Sequence, residues 1–161
     1  MDKPRIAWDS TTIIDAIQQD QTWWPQIRPI YADALHGKVL ILVSEISVAE
    51  ACKLSGPTTS GLSVTEAVKQ IERFFSNLFI LAKAVTRQES RLASEFIREH
   101  RLETCDAIIA ATAVVHGAST LYTRDGTKKR KKNKPSLLKC NGLLQGLVVE
   151  CPDASKYSGP D

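Results

Sequence analysis

The chain has 161 residues, 43% of them hydrophobic and 24% charged, the balance of one soluble globular domain with enough length to bury a core. No apolar run is long enough to span a bilayer, and the few apolar residues after Met1 are too short for a signal peptide, so a cytoplasmic protein with no membrane partner is expected. The net charge of +3 is local: residues 128–134 hold six cations, and the rest of the chain has 15 basic against 18 acidic residues.

Taken in chain order, residues 5–8 read as a short buried strand ending at Asp9. Ile13, Ile14 and Ile17 then fall at helical spacing, with Ser10 or Thr11 placed to cap the helix. Trp23-Trp24-Pro25 marks a turn, and Pro25 suits the first turn of a second helix reaching about His36, where Gly37 stops it. Residues 39–43 form a continuous Val, Leu and Ile run, fit for a strand buried on both faces. Ser44 precedes a helix to about Leu54, followed by the breaker Gly56-Pro57 and a polar loop over 58–61.

A helix is predicted from Ser63 to Phe75, a third strand over 78–81, and a helix from Thr86 to His100. Thr104 is placed to cap a further helix from Cys105 to about His116, closed by Gly117. Residues 121–122 and 147–149 supply two more strands. Alternating strands and helices predict an α/β fold with a parallel sheet. One domain is expected over residues 1–152, with 153–161 as a frayed tail.

Four acids lie at or just beyond the ends of apolar runs: Asp9, Glu50, Asp106 and Asp125. The C-terminal strand ends of a parallel sheet lie side by side and form its ligand-binding edge, so acids far apart in sequence can meet there. Carboxylates gathered at one point repel one another and call for a hard divalent cation, whose usual substrates are phosphate esters. Each acid also has a plainer reading. Asp9 suits a helix cap, Glu50 a solvated helix face, Asp106 a first-turn dipole partner, and Asp125-Gly126 a turn.

Cys52, Cys105, Cys140 and Cys151 make no C-x-x-C pair, which argues for reduced thiols and against a zinc site. His36, His100 and His116 read as ordinary helix-end residues. A phosphoacceptor receiver domain would need an Asp ending the third strand, but Ala82-Lys83-Ala84 follows that run.

Asp106-Ala107-Ile108-Ile109-Ala110-Ala111-Thr112-Ala113, followed by Leu121-Tyr122-Thr123-Arg124-Asp125, resembles the C-terminal signature of PIN-domain nucleases. Asp9-Ser10-Thr11 is similar to that family's opening motif, and Ser44 to Glu50 to its second, whose final Glu is the acid; Glu45 is the rival for that place. The resemblance covers roughly residues 5–150 and is closest to the compact VapC-like toxins of toxin–antitoxin pairs. Many relatives carry an acidic-aromatic pair a few residues after the fourth acid; here Gly126-Thr127 runs into the basic strip.

The resemblance implies a three-layer α/β/α sandwich around a mostly parallel five-stranded sheet. It also implies a ribonuclease using Mg²⁺ or Mn²⁺ held by Asp9, Glu50, Asp106 and Asp125 as catalytic acids, with Ser10 and Thr123 supporting them. RNA is the expected substrate, with a cognate antitoxin protein and a second copy of the chain, as a homodimer, the further partners considered. Lys128, Lys129, Arg130, Lys131 and Lys132 are candidate phosphate contacts, against the plainer reading of a solvated loop. Trp23-Trp24 reads as core rather than a surface for a partner. The alternative to a nuclease is a PIN-fold nucleic-acid-binding or scaffold module that keeps the acids without the activity.

Overall fold

Period-two alternation along the strands sorts the core into two layers. A computed structural model describes residues 3–51, 63–126 and 135–160. Strands β1 (Arg5–Trp8), β2 (Leu40–Ser44), β3 (Ile80–Lys83), β4 (Thr120–Tyr122) and β5 (Val148–Glu150) form one sheet in the order β3-β2-β1-β4-β5. Every pairing is parallel. The register lines up Ala7 with Leu42 and Leu121, and Leu121 with Val149. These four share one sheet face because successive side chains point to opposite sides. The neighbouring row, Ile6, Ile41 and Ile80, faces the other way.

Helices cover both faces. On the Ile6 side lie α1 (Ser10–Gln18), α2 (Trp24–Leu35) and α4 (Val64–Phe75), which bury Ile13, Ile27, Ile30 and Phe74 against Trp8 and Val43. On the Ala7 side lie α5 (Arg87–His100) and α6 (Thr104–Val115), with Phe96 and Ile109 packed on Leu42 and Leu121. The short helix α3 (Glu45–Glu50) follows β2 directly. Each fully buried Ile or Leu, such as Ile13, Ile27 or Leu42, contributes about 1.5–3 kcal/mol by leaving water. The three-layer α/β/α sandwich with a five-stranded sheet is therefore present, and the sheet is parallel throughout.

Several predicted boundaries move, each for a local reason. Asp9, and not Ser10 or Thr11, caps α1: its carboxylate accepts from the Thr12 N–H. Thr104 is the first residue of α6, and Glu103 takes the cap position without a side-chain hydrogen bond. β3 begins at Ile80 rather than Leu78, because the chain first turns out of α4. In that turn the Asn77 amide donates to the Phe74 and Arg73 carbonyls, and Leu78 is left 96% exposed.

Beyond Pro152, where fraying was expected, the chain packs on α2. The Ala154 N–H donates to Gln26 Oε1 at 2.9 Å and Tyr157 Oη to Asp33 Oδ2 at 3.0 Å. Trp23 and Trp24, expected as core, are partly buried and pack against the Ile6-side core, as does Phe75. The three histidines close helices, His36 and His116 as C-caps and His100 as the last residue of α5. Cys140 and Cys151 are free thiols, the first buried and the second half-buried, and Cys105 is exposed. Cys52, the predicted helix end near Leu54, the loop over 58–61 and the basic strip lie outside the described residues. Among the described residues, no helix is long and apolar enough to cross a membrane.

Candidate functional site

The edge where β1, β2 and β4 end together is built around one buried carboxylate. Asp9 follows Trp8 at the end of the central strand and is 3% exposed. Its Oδ1 accepts from the Thr12 N–H (2.9 Å) and its Oδ2 from Thr123 Oγ1 (2.6 Å), while Thr11 Oγ1 lies 2.8 Å and 2.9 Å from the two oxygens. Thr123 lies immediately after β4, so a single hydrogen bond joins the ends of two neighbouring strands across 114 residues of sequence. Burial pushes the Asp9 carboxyl above its ordinary range, and the bonds from Thr123, Thr12 and Thr11 pull it down without cancelling that.

Both threonine hydroxyls act twice. A hydroxyl has one hydrogen to give and lone pairs to receive. Thr11 Oγ1 donates to Asp9 and accepts the Arg124 N–H at 3.1 Å; Thr123 Oγ1 donates to Asp9 and accepts the Asp125 N–H at 2.8 Å. The loop after β4 is thereby hung from Asp9. Asp125 is half-buried, and its Oδ2 accepts the Leu137 N–H at 3.2 Å, which fastens a 3₁₀ turn (Leu137–Cys140), buried at Leu137 and Cys140, to the same loop.

Asp106 sits in the first turn of α6, half-buried, within electrostatic reach of Cys140 in that 3₁₀ turn. Burial, and secondarily the Asp106 charge, pushes the Cys140 thiol up. Glu50 is the last residue of α3, half-buried, on a helix that packs against both α1 and α6; Glu45 is exposed in its first turn. Ser44 ends β2, and its Oγ lies 3.3 Å from Thr112 Oγ1 of α6. Ser10 is buried at the first position of α1, while the hydroxyls on Asp9 are those of Thr11 and Thr123.

The structure thus links Asp9, Thr123 and Asp125 by direct hydrogen bonds and brings Asp106 to the turn that Asp125 holds. Among the described residues, no group of three His, Cys, Asp or Glu side chains stands arranged to hold a metal ion. The chemistry of the donors nevertheless suits a hard divalent cation. Carboxylate oxygens are the ligands such an ion takes, and Asp9, Glu50, Asp106 and Asp125 offer no others.

Sequence reasoning missed Thr11 and Thr12 as partners of Asp9, and it missed Asp15 with Arg124. Asp15 is 2% exposed, with Arg124 Nη2 at 2.8 Å from its Oδ1. Burial pushes its carboxyl up to about 6, against the pull of Arg124. A charged residue on the helix face that also buries Ile13 and Ala16 was the signal available.

The profile of the PIN domain family matches residues 8–134. The chain belongs to the PIN domain family. No curated protein matches it by sequence. Among solved structures, the crystal structure of VapBC2 from Rickettsia felis, bound to a DNA fragment from their promoter, is similar to this PIN domain. The TM-score is 0.64 at 16% identity, covering 92% of this chain and 99% of that one. FitAcB from Neisseria gonorrhoeae gives a TM-score of 0.50 at 21% identity, covering 74% and 87%. At these identities the likeness is one of fold.

Proposed function

We propose that this PIN domain is a Mg²⁺- or Mn²⁺-dependent ribonuclease that hydrolyses RNA phosphodiesters, and that it is the toxin of a toxin–antitoxin pair. The observation that carries the reading is the bond from Thr123 to Asp9, which unites the first and last acidic motifs at the C-terminal sheet edge. Family membership supports nuclease chemistry, and nucleases of this family generally use divalent metal ions. The toxin assignment rests on the VapC-like form of the motifs, together with the fold shared with VapBC2.

Asp9, Glu50, Asp106 and Asp125 are the residues that would hold the ion. When bound, a hard divalent ion supplies positive charge against the phosphate and makes water a stronger nucleophile. The chain's own part is orientation. Thr11, Thr12 and Thr123 fix both oxygens of Asp9, and the Thr123 hydroxyl and the Leu137 N–H fix Asp125. Cleavage by water needs no covalent enzyme intermediate, so no nucleophilic side chain is called for.

Asp106→Asn tests the reading. The substitution keeps size and removes the charge, at a dipole cost to α6 of about 0.3–1 kcal/mol, so the fold survives. RNA cleavage should fall to background with an unchanged circular dichroism spectrum. Cleavage by the wild type in EDTA, or an unaltered rate in the variant, sinks the proposal. Mn²⁺ and RNA binding without cleavage identifies the binding-module alternative instead.

A further inference from the structure

Arg124 lies between Thr123 and Asp125, and the proposed chemistry gives it no task. Its guanidinium reaches back to α1, where Nη2 donates to Asp15 Oδ1 at 2.8 Å and Nε pairs with Asp15 Oδ2. The same group lies 5.7 Å from the centre of the Trp23 ring, a cation–π distance. Its backbone N–H is held by Thr11. Three anchors from the α1–α2 side therefore grip one residue of the loop.

Stability alone is a weak reason for this arrangement. Withdrawing two charges from water costs about what their attraction returns, and apolar side chains of similar size often do as well. A planar fork on a carboxylate does fix direction, because two parallel contacts define an orientation that one does not. The direction fixed here is informative. Asp9 is the N-cap of α1 and Asp15 lies on the same helix, so the pair ties the loop bearing Asp125 to the element that begins at Asp9.

We propose that Asp15 and Arg124 form a positioning pair for the acidic site, holding the 123–125 loop against α1 so that Asp125 stands at a set distance from Asp9. The pair touches neither substrate nor ion; it acts through the loop. The proposal deepens the nuclease reading and rests on it for the activity arm of its test only.

The test compares the wild-type chain with Asp15→Asn and Arg124→Lys, the latter keeping the charge without the fork and serving as the milder variant should Asp15→Asn fail to fold. Amide hydrogen exchange at Arg124 and Asp125 should quicken by about tenfold or more in Asp15→Asn, and less in Arg124→Lys. Mn²⁺ affinity by calorimetry, and kcat on RNA, should each fall about 10–100-fold, the range for groups that orient metal ligands, while KM holds. Folded variants with unchanged exchange and unchanged Mn²⁺ affinity overturn the proposal. A raised KM with kcat intact also overturns it, since Arg124 would then be a substrate contact. Should the wild type neither bind Mn²⁺ nor cleave, the nuclease reading fails by itself and the exchange result decides: faster exchange upholds the clamp, unchanged exchange ends it.

Discussion

Two threonine hydroxyls, those of Thr11 and Thr123, connect the buried Asp9 carboxylate to the backbone of the loop that bears Asp125. Asp9 was legible in the sequence because a short apolar run stops at it and a helix starts after it. Thr123 was legible only as part of a family pattern, and its partner was not, because no local periodicity encodes a contact across 114 residues. Gly126 shows how closely that loop is fitted. Its φ is +113°, and a Cβ built there would meet Ser136 Oγ at 2.4 Å and Ser136 Cβ at 2.8 Å. Gly126→Ala must therefore move the loop or the Ser136 backbone, in addition to the strain of a positive φ. The expected result is a loss of about 1–3 kcal/mol in urea unfolding together with reduced RNA cleavage. Wild-type stability and rate in the variant would show that the loop yields freely.

At the scale of elements, the strands and helices followed from apolar spacing, and their ends did not. The apolar run at 78–81 looked like a complete strand, but leaving α4 consumes Leu78 and Phe79 in a turn closed by the Asn77 amide. The 3₁₀ turn at Leu137–Cys140 escaped notice because four residues are too few to show a period, although Leu137 is fully buried. The capping box of α5 was hidden for a different reason: Thr86 and Glu89 have the right spacing, yet Glu89 does more than cap. It is 1% exposed, accepts the Thr86 N–H at 2.8 Å and lies 3.1 Å from His116 Nε2 at the end of α6, so it bolts the two helices together. Burial pushes the Glu89 carboxyl up, but hydrogen bonds from the Thr86 hydroxyl and from backbone N–H groups, with His116 nearby, outweigh this and hold it below its ordinary range. A carboxylate held low binds fewer protons in the folded chain than in the unfolded one. Its contribution is therefore fully present above the unfolded value of about 4.3, and is lost as pH falls through the folded value. Glu89→Gln should cost about 1.5–3 kcal/mol at pH 7, and the difference from wild type should narrow as the pH falls below about 4.3. Urea titrations across that range measure it; a gap that ignores pH would assign the effect to packing instead.

On the scale of the whole molecule, strand order decides what the acids can do. The order β3-β2-β1-β4-β5 puts the first strand at the centre, with the ends of β2 and β4 on either side, and so makes one edge out of motifs from the beginning, middle and end of the chain. That α/β alternation would give a parallel sheet was readable from the sequence; the order of the strands was not, because it is set by long-range pairing that no local pattern encodes. Gly126 and Pro135 are the described residues that flank the basic strip of residues 128–134; Gly126 lies against Ser136, and the Leu137 N–H is bonded to Asp125, so the described chain on both sides of the strip lies beside Asp125. Without the strip the remainder carries a net charge of −3, which repels a polyanion. If the strip meets RNA phosphates, replacing Lys128, Lys129, Arg130, Lys131 and Lys132 with glutamine should weaken binding equally for unrelated RNA sequences. It should also flatten the salt dependence by about 0.7 in the log–log slope for each single-strand phosphate that is no longer neutralised. Filter binding of two unrelated RNAs between low and physiological salt measures both effects. Equal affinity and equal slope in the variant would leave the strip a solvated loop, and weaker binding of one RNA alone would mean that it reads sequence rather than charge.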